Sequence, residues 1–165
     1  MVTSLPDDTA WWFLIPMVPL CLVVVWDDLS NLKIRNVTVL ATIGIYIIVG
    51  LLVMPWTTVL FQLSLGIATL AVTFILFNLR IMGGGDAKYI AAIVPFFWWN
   101  DWAVIVLLFC AITLGTLLIH RIARALGAAK LIPSWDSWTS GKRFPMGFPL
   151  GLIVMAYLGL SAYPT

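Results

Sequence analysis

Charged residues are scarce in this sequence, and their scarcity excludes most soluble folds. They make up 10% of the 165 residues, against about 25% in an average globular chain, and hydrophobic residues make up 62%. The net charge of +2 is too small to indicate a protein that binds nucleic acid. A surface this apolar suits lipid, so we expect one membrane-embedded domain over residues 1–165.

Cysteine and histidine are also rare, which excludes several kinds of catalytic and metal site. The two cysteines, Cys21 and Cys110, lie in separate apolar runs and form no Cys-x-x-Cys pair. That spacing indicates neither a zinc site nor a redox motif, and we interpret both as small buried residues. The sole histidine, His120, adjoins Arg121 and accompanies no apt Ser or Cys nucleophile, so we interpret it as an anchor at the membrane interface.

Long uncharged runs predict an all-α bundle of six transmembrane helices, over about 10–27, 37–54, 58–79, 85–99, 102–119 and 145–163. The acidic residues before the first run do not resemble a signal peptide, so we interpret this run as a retained helix. Pro55-Trp56 divides the second run, which is too long for one crossing. The fourth crossing works only if it begins near Gly85, which draws Asp86 and Lys88 to the membrane edge.

The basic residues predict the orientation of the bundle. With both termini outside, the segments 27–36, 80–88 and 120–143 face inward and contain all nine Lys and Arg residues. This distribution follows the positive-inside rule. Basic and apolar residues alternate at the start of segment 120–143, which indicates either an interfacial helix on anionic lipid or the positive-inside bias alone.

Two acidic sites lie at the inner face. Asp27-Asp28 ends the first helix, and Gly83-Gly84-Gly85-Asp86 opens the fourth. Each site alone also fits a solvated loop or a helix cap, and no Gly-Lys-Ser/Thr ending indicates a phosphate-binding loop. Because both lie at helix ends of one small bundle, their carboxyl groups can meet and share a proton. One then acts as general base on water and the other donates a proton to the peptide, as in aspartic proteases, with no metal and no cofactor.

The motifs around these aspartates carry a family resemblance. Asp86 ends a Gly-x-Gly-Asp motif and is followed by Ala87-Lys88; Asp28-Leu29 precedes Ile34-Arg35-Asn36; and the last helix is preceded by Lys142-Arg143-Phe144-Pro145-Met146-Gly147-Phe148-Pro149. In this order and at these spacings the chain resembles the type IV prepilin peptidases. The resemblance implies that Asp28 and Asp86 are the catalytic pair, whereas Asp27 has the wrong spacing to Asn36.

The same resemblance implies a substrate and a location. Such enzymes remove the short basic leader of pilin or pseudopilin precursors after a glycine, at the cytoplasmic face of the prokaryotic inner membrane. The chain lacks the cytoplasmic insert with paired cysteines found in longer members that also methylate. It therefore resembles the short, peptidase-only branch, whose members often serve Tad/Flp pili.

Other motif residues are interpreted as supporting the site. Gly83, Gly85, Lys88 and Asn36 belong to the matched motifs, while Asn36, Arg143 and Pro145 shape the site without catalysing. Lys88 either tunes a catalytic carboxyl group or extends to the lipid headgroups. The sequence departs from the family's usual motifs at two positions. Arg35 replaces the usual proline, and Ser30 replaces a basic residue often found after Asp-Leu.

Three alternatives stay open at this point. A catalytically inactive relative could act as a pilus or secretion assembly subunit. A small six-helix transporter would need polar residues near the bilayer midplane, whereas the charges here cluster at one face. Presenilin-like proteases share Gly-x-Gly-Asp but pair it with a Tyr-Asp motif, which this sequence lacks.

Overall fold

A computed structural model describes residues 3–139 and 144–163, so the predicted roles of Lys142 and Arg143 lie outside the described residues. Within those ranges the regular structure is helical, with no strands. The helices are α1 (Asp7–Asn31), α2 (Asn36–Val53), α3 (Trp56–Asn78), α4 (Gly84–Ile93), α5 (Trp102–Ala125), α6 (Ala128–Leu131), α7 (Asp136–Thr139) and α8 (Gly147–Ala162). Two 3-10 turns, Val94–Phe96 and Trp99–Asp101, join α4 to α5.

Four segments are long and apolar enough to cross a membrane. They are α1, α2, α3 and the segment Trp99–Ala125, which contains α5. A crossing of the hydrocarbon core takes about 20 helical residues. At 16 residues α8 is apolar but shorter, and α4 has only 10. The fold is therefore a helical bundle with four candidate spans, and six crossings stay a prediction.

Three helix boundaries differ from those predicted. The helix expected over 85–99 ends at Ile93, because Pro95 has no N–H for helical bonding and the chain continues as 3-10 turns. α1 continues to Asn31 because its last turns pack inside the bundle and bury Asp27 and Asp28.

α5 runs to Ala125, beyond the expected end at 119. The start of segment 120–143 is thus the last part of α5 and not a separate interfacial helix. The two short helices α6 and α7 follow it.

Two side chains also lie in surroundings that differ from the prediction. His120 is buried and stacks on Trp138, with ring centroids 4.8 Å apart, where a membrane-interface anchor was expected. Cys110 is exposed on α5, although it was expected to be buried. Cys21 is buried, as expected, and its sulfur lies 3.8 Å from the hydroxyl group of Tyr89.

The packing places the inner end of α1 beside α2, α4 and α8. α1 packs along α8 and against α2, while α4 packs on α3 and also touches α2 and α8. An aromatic cluster of Phe13, Tyr46 and Phe96 joins α1, α2 and the first 3-10 turn, with ring centroids 5.1 to 5.6 Å apart. These contacts hold α4 in register with α1 and thereby set where Asp86 lies relative to Asp28.

A buried carboxylate holds the bundle together at the other end of α1. Asp101 is buried and accepts hydrogen bonds from the backbone N–H of Ser4 at 2.7 Å, the Ser4 hydroxyl at 2.6 Å and the Tyr157 hydroxyl at 2.7 Å. The backbone N–H of Trp98 donates to the Tyr157 oxygen at 3.1 Å. The network ties the segment before α1 to α8 and to the turn before α5.

We expect Asp101→Ala to lower the free energy of unfolding by about 2 kcal/mol, because the buried Tyr157 hydroxyl and the donors on Ser4 lose their acceptor. The matched control is Asn100→Ala, since Asn100 is exposed and adjacent. Thermal unfolding of both variants in the same detergent measures the difference. Equal midpoints for the two variants would contradict a stabilising role for the network.

Candidate active site

Two left-handed residues shape the turns that bring the motifs together. Leu32 follows α1 with φ 47° and ψ 41°, and its N–H donates to the carbonyl of Asp28. Arg80 follows α3 with φ 59°, and its N–H donates to the carbonyl of Phe77. Such angles are uncommon for residues other than glycine. Both turns reverse the chain, so that Ile34–Asn36 and the glycine run approach the end of α1.

These turns border a cavity of about 600 Å³ that contains both motif aspartates. Its lining comes from the end of α1, the loop into α2, the start of α4 and the segment before α8. The lining residues are Asp28, Leu32, Lys33, Ile34, Asn36, Gly83, Gly84, Gly85, Asp86, Lys88, Phe144 and Met146. All six residues proposed from sequence for the site, Asp28, Asp86, Gly83, Gly85, Lys88 and Asn36, therefore lie around one space.

Asp28 is buried, and the start of α8 holds its carboxylate. The backbone N–H of Gly147 donates to Asp28 Oδ2 at 2.5 Å. The first N–H groups of a helix have no partner within the helix, so they are free to bind a carboxyl group. This bond replaces part of the hydration that Asp28 loses on burial.

Asp86 is partly buried in the first turn of α4 and lies close enough to Asp28 for the two carboxyl groups to interact electrostatically. A Cβ atom on Gly83 would lie 2.8 Å from Asp86 Oδ2, closer than real Cβ contacts allow. Gly83 has φ −70°, an angle open to any residue, so glycine serves here to leave space. Within residues 3–139 and 144–163, no group donates a hydrogen bond to the Asp86 carboxyl group.

The polar groups around the cavity include a cation that faces an amide. The ammonium group of Lys88 donates to the side-chain oxygen of Asn36 at 3.3 Å, across the entrance between α4 and α2. Lys33 adds a second ammonium group to the lining. The cavity therefore combines acidic groups in its buried part with basic and amide groups at its exposed rim.

Asp27 lies outside the cavity lining and has a different partner. Its carboxylate pairs with the guanidinium of Arg35 at 3.1 Å, with Asp27 buried and Arg35 exposed. Arg35 precedes α2 with φ −77° and ψ 143°, angles that proline also adopts. The residue that replaces the usual proline thus joins the end of α1 to the start of α2 through an ion pair.

Three other sequence-based assignments have a clear place in the structure. The Ser30 hydroxyl donates to the carbonyl of Trp26 at 2.7 Å and takes no part in the cavity. Pro145 is buried before α8 and is not among the lining residues. The sequence reasoning missed Gly147, because its contact with Asp28 joins residues 119 positions apart and no local pattern indicates it.

The arrangement supports acid–base chemistry by two neighbouring carboxyl groups in one partly open cavity. The described residues hold no group of three or more His, Cys, Asp or Glu side chains that could bind a metal ion. The predictions of no metal and no cofactor stay predictions.

Fold and cavity together define a class: a multi-pass helical membrane protein with paired aspartates at one end of its bundle. Comparison with protein-family models matches residues 15–119 to the type IV leader peptidase family. The match covers more than half of the chain, and the protein belongs to that family. Searches of curated proteins and of solved structures give no match.

We expect Gly83→Ala to impair catalysis strongly, because the added Cβ would displace the Asp86 carboxyl group. The loss should be on the order of a hundredfold, since misplacing a reacting group by about 1 Å has that effect. Gly85→Ala is the matched control, because a Cβ there meets Ile34 at an ordinary 3.5 Å. Cleavage rates of the two folded variants test the difference, and equal losses would show that space beside Asp86 is not the reason for Gly83.

Arg35→Pro should keep the backbone of the loop but remove the ion pair with Asp27. We expect it to lower the free energy of unfolding by on the order of 1 kcal/mol, since a buried carboxylate loses its partner while the exposed guanidinium gains little. In an Asp27→Asn background the same change should be neutral or stabilising. Thermal unfolding of the four proteins measures this coupling, and an equal cost of Arg35→Pro in both backgrounds would exclude it.

Proposed function

We propose that the protein is a membrane aspartyl endopeptidase that removes the short leader peptide of pilin-like precursors. One observation carries the proposal: Asp28 and Asp86 line a single cavity, where their carboxyl groups are near enough to interact electrostatically. Family membership supports peptidase activity on precursors of this type. The pair needs neither a nucleophilic side chain nor a cofactor for hydrolysis of an amide bond.

The proposed reaction passes protons through both carboxyl groups. One carboxylate takes a proton from a water molecule whose oxygen attacks the carbonyl carbon of the scissile bond. The other, protonated, carboxyl group donates its proton to the carbonyl oxygen, which forms a neutral tetrahedral intermediate. The first group then passes its proton to the amide nitrogen while the second takes a proton from a hydroxyl group of the intermediate, so the C–N bond breaks, a new carboxyl end and a new amino end are released, and the pair returns to its starting protonation.

The surroundings of the cavity fit a peptide that arrives from the cytoplasm. The cavity shares its end of the bundle with the basic residues Lys33, Arg35, Arg80 and Lys88, and positive charge is typical of cytoplasmic segments. In the proposed topology α4 with its 3-10 turns and α8 supply two further crossings, so both termini lie outside. The inner membrane is then the site of action, and the Tad/Flp pilus system is the proposed context.

A non-catalytic assembly subunit and a small transporter are less well supported. A subunit without chemistry has no evident need to hold two carboxyl groups in one cavity beside a family motif. A transporter would place polar groups near the bilayer midplane, whereas this cavity lies at the end of the bundle.

Purified protein mixed with a pilin precursor from the same cell should release the leader after a glycine, as recorded by mass spectrometry. Asp28→Asn and Asp86→Asn should each lower the rate by about a hundredfold or more, because each removes one partner of the proton transfers. Asp27→Asn is the control, since that carboxylate pairs with Arg35 outside the cavity.

The outcomes separate the alternatives. Cleavage by wild type and Asp27→Asn alone, with every protein folded, would establish Asp28 and Asp86. Full cleavage by either of the other two variants would refute the assignment of that aspartate. A folded wild-type protein that cleaves no precursor would favour the inactive relative.

A further inference from the structure

The two carboxyl groups of the cavity have unequal partners. We propose that Gly147 is a positioning residue, whose missing side chain lets the first turn of α8 approach and hold the carboxyl group of Asp28. The inference rests on the proposed peptidase function and explains how one of its two aspartates is kept in place.

The close approach of α8 to Asp28 depends on the missing side chain of Gly147. A Cβ atom there would lie 2.8 Å from Asp28 Cβ, 2.9 Å from Cγ and 3.0 Å from Oδ2. Each of these distances is at or below the shortest that real Cβ atoms show. Any larger residue would push the carboxylate or the helix away and lengthen the 2.5 Å bond to Oδ2.

The start of α8 supplies a hydrogen-bond donor to Asp28. α8 has 16 residues, and the backbone N–H of its first residue, Gly147, donates to Asp28 Oδ2. Such an N–H group has no acceptor within its own helix. Asp86 receives no such donor from the described residues, so the two carboxyl groups are held in different ways.

The charged groups that share the cavity with Asp28 come from two other elements. Asp86 and Lys88 lie on α4, and Lys33 lies on the loop before α2. Asp27, on α1 itself, is paired with Arg35. The first turn of α8 contributes no ionisable side chain, so this helix holds Asp28 through its backbone.

The family match leaves this role open. It ends at residue 119, whereas Gly147 and Phe148 lie beyond it. The proposal comes from the geometry of α8.

The first experiment compares Gly147→Ala with Gly159→Ala in the cleavage assay. Both substitutions lie in α8, but a Cβ at Gly159 has no neighbour within 4 Å. We expect kcat of Gly147→Ala to fall by about tenfold to a hundredfold, since the added Cβ displaces the carboxyl group of Asp28. KM should change little, and Gly159→Ala should resemble wild type. If Gly147→Ala, folded, keeps the kcat of Gly159→Ala, Gly147 is not a positioning residue.

An infrared difference measurement keeps the inference testable without substrate. The difference between wild type and Asp28→Asn identifies the carboxyl signal of Asp28. Its frequency should shift in Gly147→Ala, where the bond from α8 is lengthened, and should match wild type in Gly159→Ala. If wild type cleaves no precursor, the proposed function fails while this shift still tests the contact. If wild type cleaves but the signals of both variants match wild type, the role of Gly147 fails and the proposed function stands.

Discussion

The structure depends on holding two carboxyl groups in a protein with few charges and much apolar surface. Moving an ionised group away from water is costly unless hydrogen bonds or opposite charges replace its hydration. For Asp28, part of the replacement comes from the beginning of a helix. Asp28 accepts a hydrogen bond at the start of α8, whereas Asp86, in the first turn of α4, is only partly buried and receives no donor from the described residues. In each case a glycine, Gly147 or Gly83, leaves the space that the carboxyl group occupies.

Uncharged donors also serve the third buried carboxylate. Asp101 is held by a backbone N–H and two hydroxyl groups, with no cation among the partners that the described residues supply. Cations are instead placed at the rim of the cavity at the opposite end of the bundle, where Lys33 and Lys88 remain exposed. The bundle thus combines one end fixed by neutral donors around Asp101 with another end where exposed cations surround the cavity.

The sequence predicted the helical class and the general location of most helices because those depend on long apolar runs. It predicted that Asp28 and Asp86 share an end of the bundle because charge distribution and motif order determine the side of the membrane. The break after Ile93 required knowledge of how the chain turns at Pro95, and the continuation of α1 through Asp27 and Asp28 depended on packing against α8. Composition along one helix contains neither of these tertiary contacts.

The partner of Asp27 illustrates the same limit within the site. From the sequence, Arg35 was interpreted only as the replacement of a stiff proline. In the structure its backbone angles still suit proline, and its side chain forms an ion pair with Asp27. The role of Gly147 was invisible for a related reason: the contact joins residues 119 positions apart, and only their proximity in space makes the missing side chain meaningful.

That separation along the chain has a consequence for the order in which the site forms during synthesis. Asp28 is synthesised with α1, whereas its backbone donor exists only after residue 147 has been translated and α8 has packed beside α1. Until then the carboxyl group lacks the contact that fixes its position. The cavity is therefore complete only when the last helix has joined the bundle.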